Sequence, residues 1–438
     1  MMPITATFLG NHLNIHRLRR CAPYFYYFSS IVATLSMSPS VVAGGFQLSD
    51  HSVTSLGRAH AGFGIVGDDA SAVFFNPAGI SLLKDSQLQS GLAFIRPKSK
   101  FTNNGSTGDN TGTNDDGGQN TITPHFYYVR PINNQWHFGL GFTAPFATHT
   151  NYTDNFIGRY SGLETKITTV NINPSFSYTL NEHVAVGFGV SYQRLDAKLS
   201  GALSSAASDS TLTIDGDSAA WGYNLGAMLS FEDESRLGVS YRSKVSHDIR
   251  GTATFADLTP ATNGVFDANA DFTAPESAYI GYTKPLSDRW QLSLGYRWTR
   301  WSRFQQLDVL FPDGVASQNS LLVTQWNDSE TMTIGADYTV NQQWVVRAGF
   351  ALDETPVPDA TRTVRTVDSD RQWYSVGATY QYSKQLQFDF AYRYIRFDSA
   401  PMDQDITRSG SSIGQLTGSY NNVNIHTVAA QINYFFLK

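Results

Sequence analysis

The chain has 438 residues, a formal net charge of −6, 41% hydrophobic and 13% aromatic residues, and a mean hydropathy of −0.26. The acidic balance excludes a nucleic-acid-binding protein, which needs a basic face. The low hydropathy excludes a bundle of membrane-spanning helices but allows a membrane barrel, in which only alternate strand residues meet lipid.

The first 43 residues read as a signal peptide. Arg17, Arg19 and Arg20 form a basic region, Ala22–Leu35 is mostly apolar, and Val41-Val42-Ala43 offers small residues for cleavage. The apolar run is shorter than the roughly 20 residues that a membrane-spanning helix needs. This leader carries three arginines and no carboxylate, so the remaining chain is more acidic than the whole. Cys21, the only cysteine, lies in it. The mature chain therefore has no disulfide, thiol nucleophile or cysteine metal site.

Residues 44–85 are rich in glycine and small residues and do not alternate. Asp68 or Asp69 is placed to cap a short helix through Ala70–Phe75, and Pro77 ends it because Asn76 is pushed out of the α region. Such a coil is too small to bury its own core and needs a container.

Residues 86–438 supply one, as segments of period-two alternation. The first is Ser86–Lys100, followed by a polar tract, Thr102–Asn120, that reads as a mobile external loop. Ile122–Pro131 returns to a tight turn, and the third segment runs from Trp136 to about Thr148. The fourth, Glu164–Thr179, sets Val170, Ile172, Phe176 and Tyr178 against Asn171, Asn173, Ser175 and Ser177. The fifth sets Val184, Val186, Phe188, Val190 and Tyr192 against Ala185, Gly187, Gly189, Ser191 and Gln193. After an expected loop Gly201–Gly216, the sixth shows Tyr223 to Phe231, and the seventh begins at Leu237. A loop Asp257–Asn269 precedes the eighth, around Ala278–Tyr282. The ninth spans Trp290–Thr299, the tenth Met332–Tyr338 and the eleventh Trp344–Ala351. Beyond a loop Pro356–Asp368 come Tyr374–Tyr382, Leu386–Tyr394 and finally Val423–Phe436. Fourteen segments, alternately joined by long and short connections, fit an all-β, 14-stranded antiparallel transmembrane β-barrel with an N-terminal plug.

Leu56-Gly57-Arg58-Ala59-His60-Ala61-Gly62, then Asp68-Asp69-Ala70 and Asn76-Pro77-Ala78, resemble the plug ("hatch") segment of the FadL/TodX family. These are outer-membrane transporters of long-chain fatty acids and other hydrophobic compounds. The resemblance covers essentially the whole mature chain. It implies fourteen strands, an inward kink in the third strand that opens a gap towards lipid, and passive uptake without a cofactor. It also implies a hydrophobic surface groove among the long loops where substrate lands. Delivery by the barrel-assembly machinery is suggested by Phe436, from which the trailing Leu437 and Lys438 are a small departure.

Candidate gating residues follow. Asn76, Pro77 and Ala78 belong to the plug motif. Ala144, Pro145 and Phe146 sit inside the third strand, where a proline cannot complete a ladder and a closed barrel offers no edge. A proline at a strand end outside the membrane is the alternative. Arg242, Arg297, Arg347 and Arg393 point inward and can either grip a carboxylate or pair with Asp337, Asp389, Asp68 and Asp69, the pairing being preferred. No G-x-S-x-G or H-E-x-x-H motif is present, so no catalytic residue is expected. Asp109, Asp115 and Asp116 lack calcium-loop spacing, so no metal is expected either. The expected protein is a monomer of the Gram-negative outer membrane, set among lipid and lipopolysaccharide, with hydrophobic small molecules as its ligands. A general porin for polar solutes and a surface adhesin or receptor are the alternatives.

Overall fold

A computed structural model of the chain describes residues 44–204, 209–256, 264–312, 320–408 and 411–437. The expected signal peptide lies outside the described residues. Fourteen wall strands close on themselves: the first, Ser86–Lys98, pairs with both the second, Thr121–Pro131, and the last, Asn424–Phe436. All neighbours are antiparallel. Several strands are written in two pieces, among them the third, Trp136–Thr143 and Ala147–Asn151, and the seventh, Arg236–Arg242 and Val245–Ala256.

The alternation in the sequence is the cause of the wall. Phe188, Leu225, Ile280 and Val428 are 44–58% exposed on its outer face. Their neighbours in sequence, such as Gly187, Asn224, Tyr279 and Thr427, point inward. Only a lipid solvent makes that outer face favourable, since so large an apolar surface in water would aggregate. The short connections identify the periplasmic end. At three of them an asparagine (Asn133, Asn181, Asn341) accepts the amides two and three residues on, at 2.8–3.0 Å. Beside the turns stand cross-strand pairs Trp136–Tyr178, Trp290–Tyr338 and Trp344–Tyr380, with ring centroids 4.6–4.8 Å apart. These amphipathic rings form the aromatic girdle of that interface.

Inside the wall lies the chain from Gly44 to Leu83, mostly buried. It forms two short helices, Val53–Gly57 and Ala72–Phe75, and a 3-10 turn, Pro77–Leu82. The second helix begins two residues later than its sequence suggests, with Asp69 accepting the Ser71 amide at 2.9 Å. Its backbone groups find partners on the wall, as burial demands. Gln431 accepts the Val53 amide, Gln89 the Ala70 amide, and Ser240 and Arg242 donate to the carbonyls of Phe75 and Phe74. Inward glycines let the two backbones touch. A Cβ on Gly187 would meet the Pro77 carbonyl carbon at 2.3 Å, and one on Gly349 the Arg58 carbonyl carbon at 2.2 Å. Ala59 and His60 are both held at positive φ, 54° and 61°, a left-handed bend that costs energy without glycine.

Three expectations need correction at the extracellular end. The proposed loop Gly201–Gly216 is largely ladder: the fifth strand runs Val184–Leu203 and the sixth Ser210–Ser230, paired from Val184↔Leu229 to Leu203↔Ser210. Above the membrane the outer face no longer meets lipid and other elements partly cover both faces, so alternation no longer marks a strand. The loop Asp257–Asn269 is shortened in the same way, since Gly264–Ala274 is strand; residues 257–263 lie outside the described residues. Thr102–Asn120 is pinned down. Phe101 and Asn110 are buried, and Phe101–Asn103 joins a three-stranded sheet with Ala400–Arg408 and Ser411–Tyr420. Its acidic residues are spent on the loop: Asp115 accepts the Thr153 amide at 2.7 Å and Asp116 the Ser99 amide at 2.8 Å. Short polar side chains substitute here for a regular ladder.

Candidate functional site

The third strand is interrupted at Ala144, Pro145 and Phe146. Both of its pieces pair with the fourth strand, Glu164–Thr179, but one extra residue lies between Thr143↔Asn171 and Ala147↔Thr168. On its other side the third strand meets the second only from Phe126↔Phe142 to Pro131↔His137. Residues 121–125 of the second strand pair with the first strand alone. Above them the wall is joined again by an isolated bridge, Gly118↔Thr150. A window with unmatched strand edges is thus left in an otherwise closed barrel. Prolines stand on both edges, Pro124 and Pro145, and neither can donate to a ladder. The sequence reading singled out Pro145 and missed Pro124, although the same rule applies.

The inner side of the break is occupied by the start of the described chain. Leu48 donates to the Pro145 carbonyl at 2.8 Å, Ala147 to the Phe46 carbonyl at 3.1 Å, and Gln47 and Phe146 form an antiparallel bridge. Phe46 anchors this segment among Phe146, Phe272, Trp301, Phe304 and Trp326, with ring centroids 4.8–6.4 Å away. Gly45 donates to Asp368 Oδ2 at 3.0 Å.

Beside it lies a cavity of about 210 Å³. Leu48, Ile95, Trp373, Ile395, Phe397 and Ile425 make most of its surface apolar. Thr121, Ala147, Thr148 and Thr168, on the edges of the window, also line it, so the cavity reaches the break in the wall. Its cations are Arg393, Arg371 and Lys166.

The four inward arginines separate by their partners. Arg347 pairs with Asp337 at 2.7 Å and with Asp68 at 3.6 Å, and Arg58 of the inner chain shares both carboxylates. Arg297 bonds Ser49, Thr331 and Asp353. Arg242 has no carboxylate partner among the described residues; it bonds Phe74 O, Ser191 and Asn173 and lies over the Phe74 ring. Arg393 differs. One Nη2 bond of 2.6 Å goes to Asp50 Oδ1, while its buried Nε and Nη1 have no hydrogen-bond partner. Of the four, only Arg393 lines the cavity. Asp50 and Asp353, which sequence reasoning had not named as partners, come from segments whose proximity only the closed barrel creates. The expected partner Asp389 instead bonds Gln387, Gln431 and Asn433.

Asn76, Pro77 and Ala78 lie away from the cavity lining. Asn76 Oδ1 accepts the Ala78 amide at 3.0 Å, capping the 3-10 turn. Its Nδ2 donates to the carbonyls of Ala227 and Val239 on the sixth and seventh strands at 3.2 and 3.3 Å. The motif fastens the inner chain to the wall.

A second concavity, of about 250 Å³, opens among the extracellular loops, with Leu199, Leu203, Leu212, Ile214, Leu307, Leu321 and Leu322 in its lining. Arg365 borders it, while Thr366 and Val367, next in sequence, border the inner cavity. Burial pushes the Arg365 guanidinium down to about 10. The segment around Arg365 is the partition between the two spaces.

A lipid-facing closed wall, a filled lumen and a cavity reaching a gap in that wall define a transport barrel of the Gram-negative outer membrane. The chain belongs to the outer membrane transport protein family OMPP1/FadL/TodX, whose model matches residues 34–436. Members of that family are transporters rather than enzymes. Among curated relatives, outer membrane protein P1 of Haemophilus influenzae is 29% identical over 399 residues, covering 81% of this chain and 86% of that protein. The long-chain fatty acid transport protein of Escherichia coli is 27% identical over 418 residues, covering 85% and 92%. A Pseudomonas aeruginosa FadL homologue of known structure superposes with a TM-score of 0.84 at 24% identity, over 90% of this chain and all of that one. The toluene transporter TodX of Pseudomonas putida gives 0.64 at 15% identity, over 91% of this chain and 100% of its own. At those identities the two structures speak for the fold alone.

Proposed function

We propose that the protein takes up hydrophobic molecules passively, long-chain fatty acids first among them, and releases them sideways into the bilayer through the third-strand break. The unpaired edge at residues 121–125 carries this reading, because it leaves a lipid-level opening beside an apolar cavity. Substrate is captured in the leucine-rich outer groove, passes the Arg365 partition and settles in the inner cavity. The movement is downhill: apolar chain leaves water for protein, then protein for lipid, at about 0.8 kcal/mol per methylene on first burial. Lateral exit avoids returning it to periplasmic water.

Arg393 favours an acid over a neutral hydrocarbon. A buried guanidinium with two unmatched donors is costly, and a carboxylate would satisfy it with charge-assisted bonds. A toluene-like ligand would leave those donors unmatched. For release, the Phe46–Leu48 segment has to leave the break. The inner chain closes the remaining lumen as a plug, which is what distinguishes this reading from a general porin. The protein acts as a monomer, delivered by the barrel-assembly machinery after removal of residues 1–43. Uptake of labelled oleate and labelled toluene by cells relying on this protein alone tests the assignment. Oleate uptake that depends on the protein supports it, and toluene uptake without oleate uptake rejects it.

A further inference from the structure

On the first, thirteenth and fourteenth strands the outward side chains change character at one height. Phe94 and Val428 face lipid with Arg96, Lys98 and His426 above them, and on the thirteenth strand Phe390, Tyr392 and Tyr394 lead up to Arg396, the four basic groups all being exposed. The register sets Arg96 opposite His426, and both Lys98 and Arg396 opposite Asn424. Four basic groups therefore share a patch about 10 Å wide and about 7 Å high, from strand spacing and rise. A groove of about 820 Å³ runs through it, lined by Phe94 and Val428 below and by Arg96, Lys98, Asn120, Asn424 and His426 above. Asp116 also lines it, with Oδ1 committed to the amides of Ser99 and Gly118 at 2.8 and 3.1 Å.

Arg96, Lys98 and Arg396 have no carboxylate partner among the described residues. Three other cations above the apolar band do: Arg194 with Asp196, Lys198 with Glu164, and Arg250 with Asp248, at 2.8–3.0 Å. His426 Nδ1 is engaged by the Tyr392 hydroxyl at 2.8 Å, which leaves Nε2 free to face the groove. Arg96, Lys98 and Arg396 bring like charges into this patch, so it is unfavourable until an anion comes from outside the chain. Its height at the upper limit of the lipid band fixes the kind of anion: a headgroup attached to acyl chains.

We propose that this patch binds the phosphorylated disaccharide headgroup of the outer-leaflet glycolipid, lipid A. Guanidinium and ammonium groups suit phosphate oxygens, Asn120 and Asn424 suit sugar hydroxyls, and Phe94, Phe390 and Val428 continue downward along the acyl chains. The proposal depends on the barrel's place in the membrane and not on the identity of the transported molecule.

The test is native mass spectrometry of the full barrel in mild detergent, offered bisphosphorylated lipid A or its dephosphorylated form. The wild type is expected to retain the bisphosphorylated lipid, and R96Q/K98Q/R396Q to lose about ten-fold or more of that occupancy. R194Q/R250Q, which removes paired cations, is expected to bind as the wild type does. Heat-modifiable migration on gels reports folding. Should the triple variant not fold, R96Q/R396Q takes its place with the same expectation. Equal retention by wild type and variant, equal retention of both lipids, or displacement by equimolar inorganic pyrophosphate would overturn the proposal.

Discussion

Leu48 donates its amide to the Pro145 carbonyl across 2.8 Å, so the break in the third strand is completed from inside by the start of the chain. The wall and the inner chain share one hydrogen-bonded seam at the point where the barrel's own ladder fails. Opening that seam exposes the carbonyls of Pro145 and Phe46 together, and a passing ligand or water must compensate them.

Locking the seam is predicted to stop uptake. Gln47 and Phe146 face each other as a non-hydrogen-bonded antiparallel pair, for which a Cα separation of about 4.5 Å is usual and a disulfide is feasible. Q47C/F146C should take up labelled oleate at near-normal rates when reduced and at less than about a tenth of that rate when oxidised. Equal rates in both states, with the bridge confirmed by mass, would show that the segment does not move.

Arg393 should carry the head-group selectivity. Losing a charge-assisted hydrogen bond costs about 1.5–3 kcal/mol, so R393Q is expected to weaken oleate binding roughly 10- to 100-fold. It also strands the buried Asp50 carboxylate, so the cleaner variant is R393Q/D50N, which removes the pair together. Binding of the fatty alcohol of equal length should change little. A parallel loss for acid and alcohol would place the effect in the cavity's shape instead.

Excising the inner chain tests occlusion. A fourteen-strand barrel is wide enough to pass small solutes unless its lumen is filled. Removal of residues 44–83, with the leader kept, should raise single-channel conductance in planar bilayers and sensitise cells to polar antibiotics. A folded, heat-modifiable barrel with unchanged conductance would show that the wall alone closes the pore.

The extracellular rim should respond to pH. Burial, with the Glu330 charge, pushes Glu354 up to about 7. Burial also raises Asp368 to about 6, against the opposing pull of Arg371, and raises Asp370 to about 7 with help from Asp398. A carboxyl whose folded pKa exceeds its unfolded value near 4 favours folding in its protonated form. The stabilisation is complete below about pH 4 and lost as pH rises through 6 to 7. The melting temperature of the folded barrel in mild detergent should therefore be higher at pH 5 than at pH 8. D368N should shrink that difference.

Much of the wall was legible because lipid imposes a strict period of two: Phe188 and Val190 had to face out if Gly187 and Gly189 faced in. Pro145 was legible as a rule broken inside a strand. Arg393 could not be separated from Arg242, Arg297 and Arg347 in the sequence. What separates it is a bond to Asp50, 343 residues away, and a cavity assembled from several strands and the inner chain. The upper fifth and sixth strands escaped notice for a different reason. Lys198–Leu203 and Ser210–Asp217 rise above the lipid band and are partly covered on both faces, with Leu203, Leu212 and Ile214 packed beside Ala253 and Phe255, so lipid no longer forces their side chains to alternate.

Sideways release is tested most directly by mapping where a photoactivatable fatty acid is caught. A diazirine-bearing oleate analogue, added to intact cells and illuminated during uptake, should label Thr121, Pro124, Thr148 and Thr168 around the window. Little label should reach Leu82 and Lys84 at the periplasmic end of the inner chain. Adducts at Leu82 and Lys84, with the window residues unmarked, would contradict lateral release and place the exit through the periplasmic mouth.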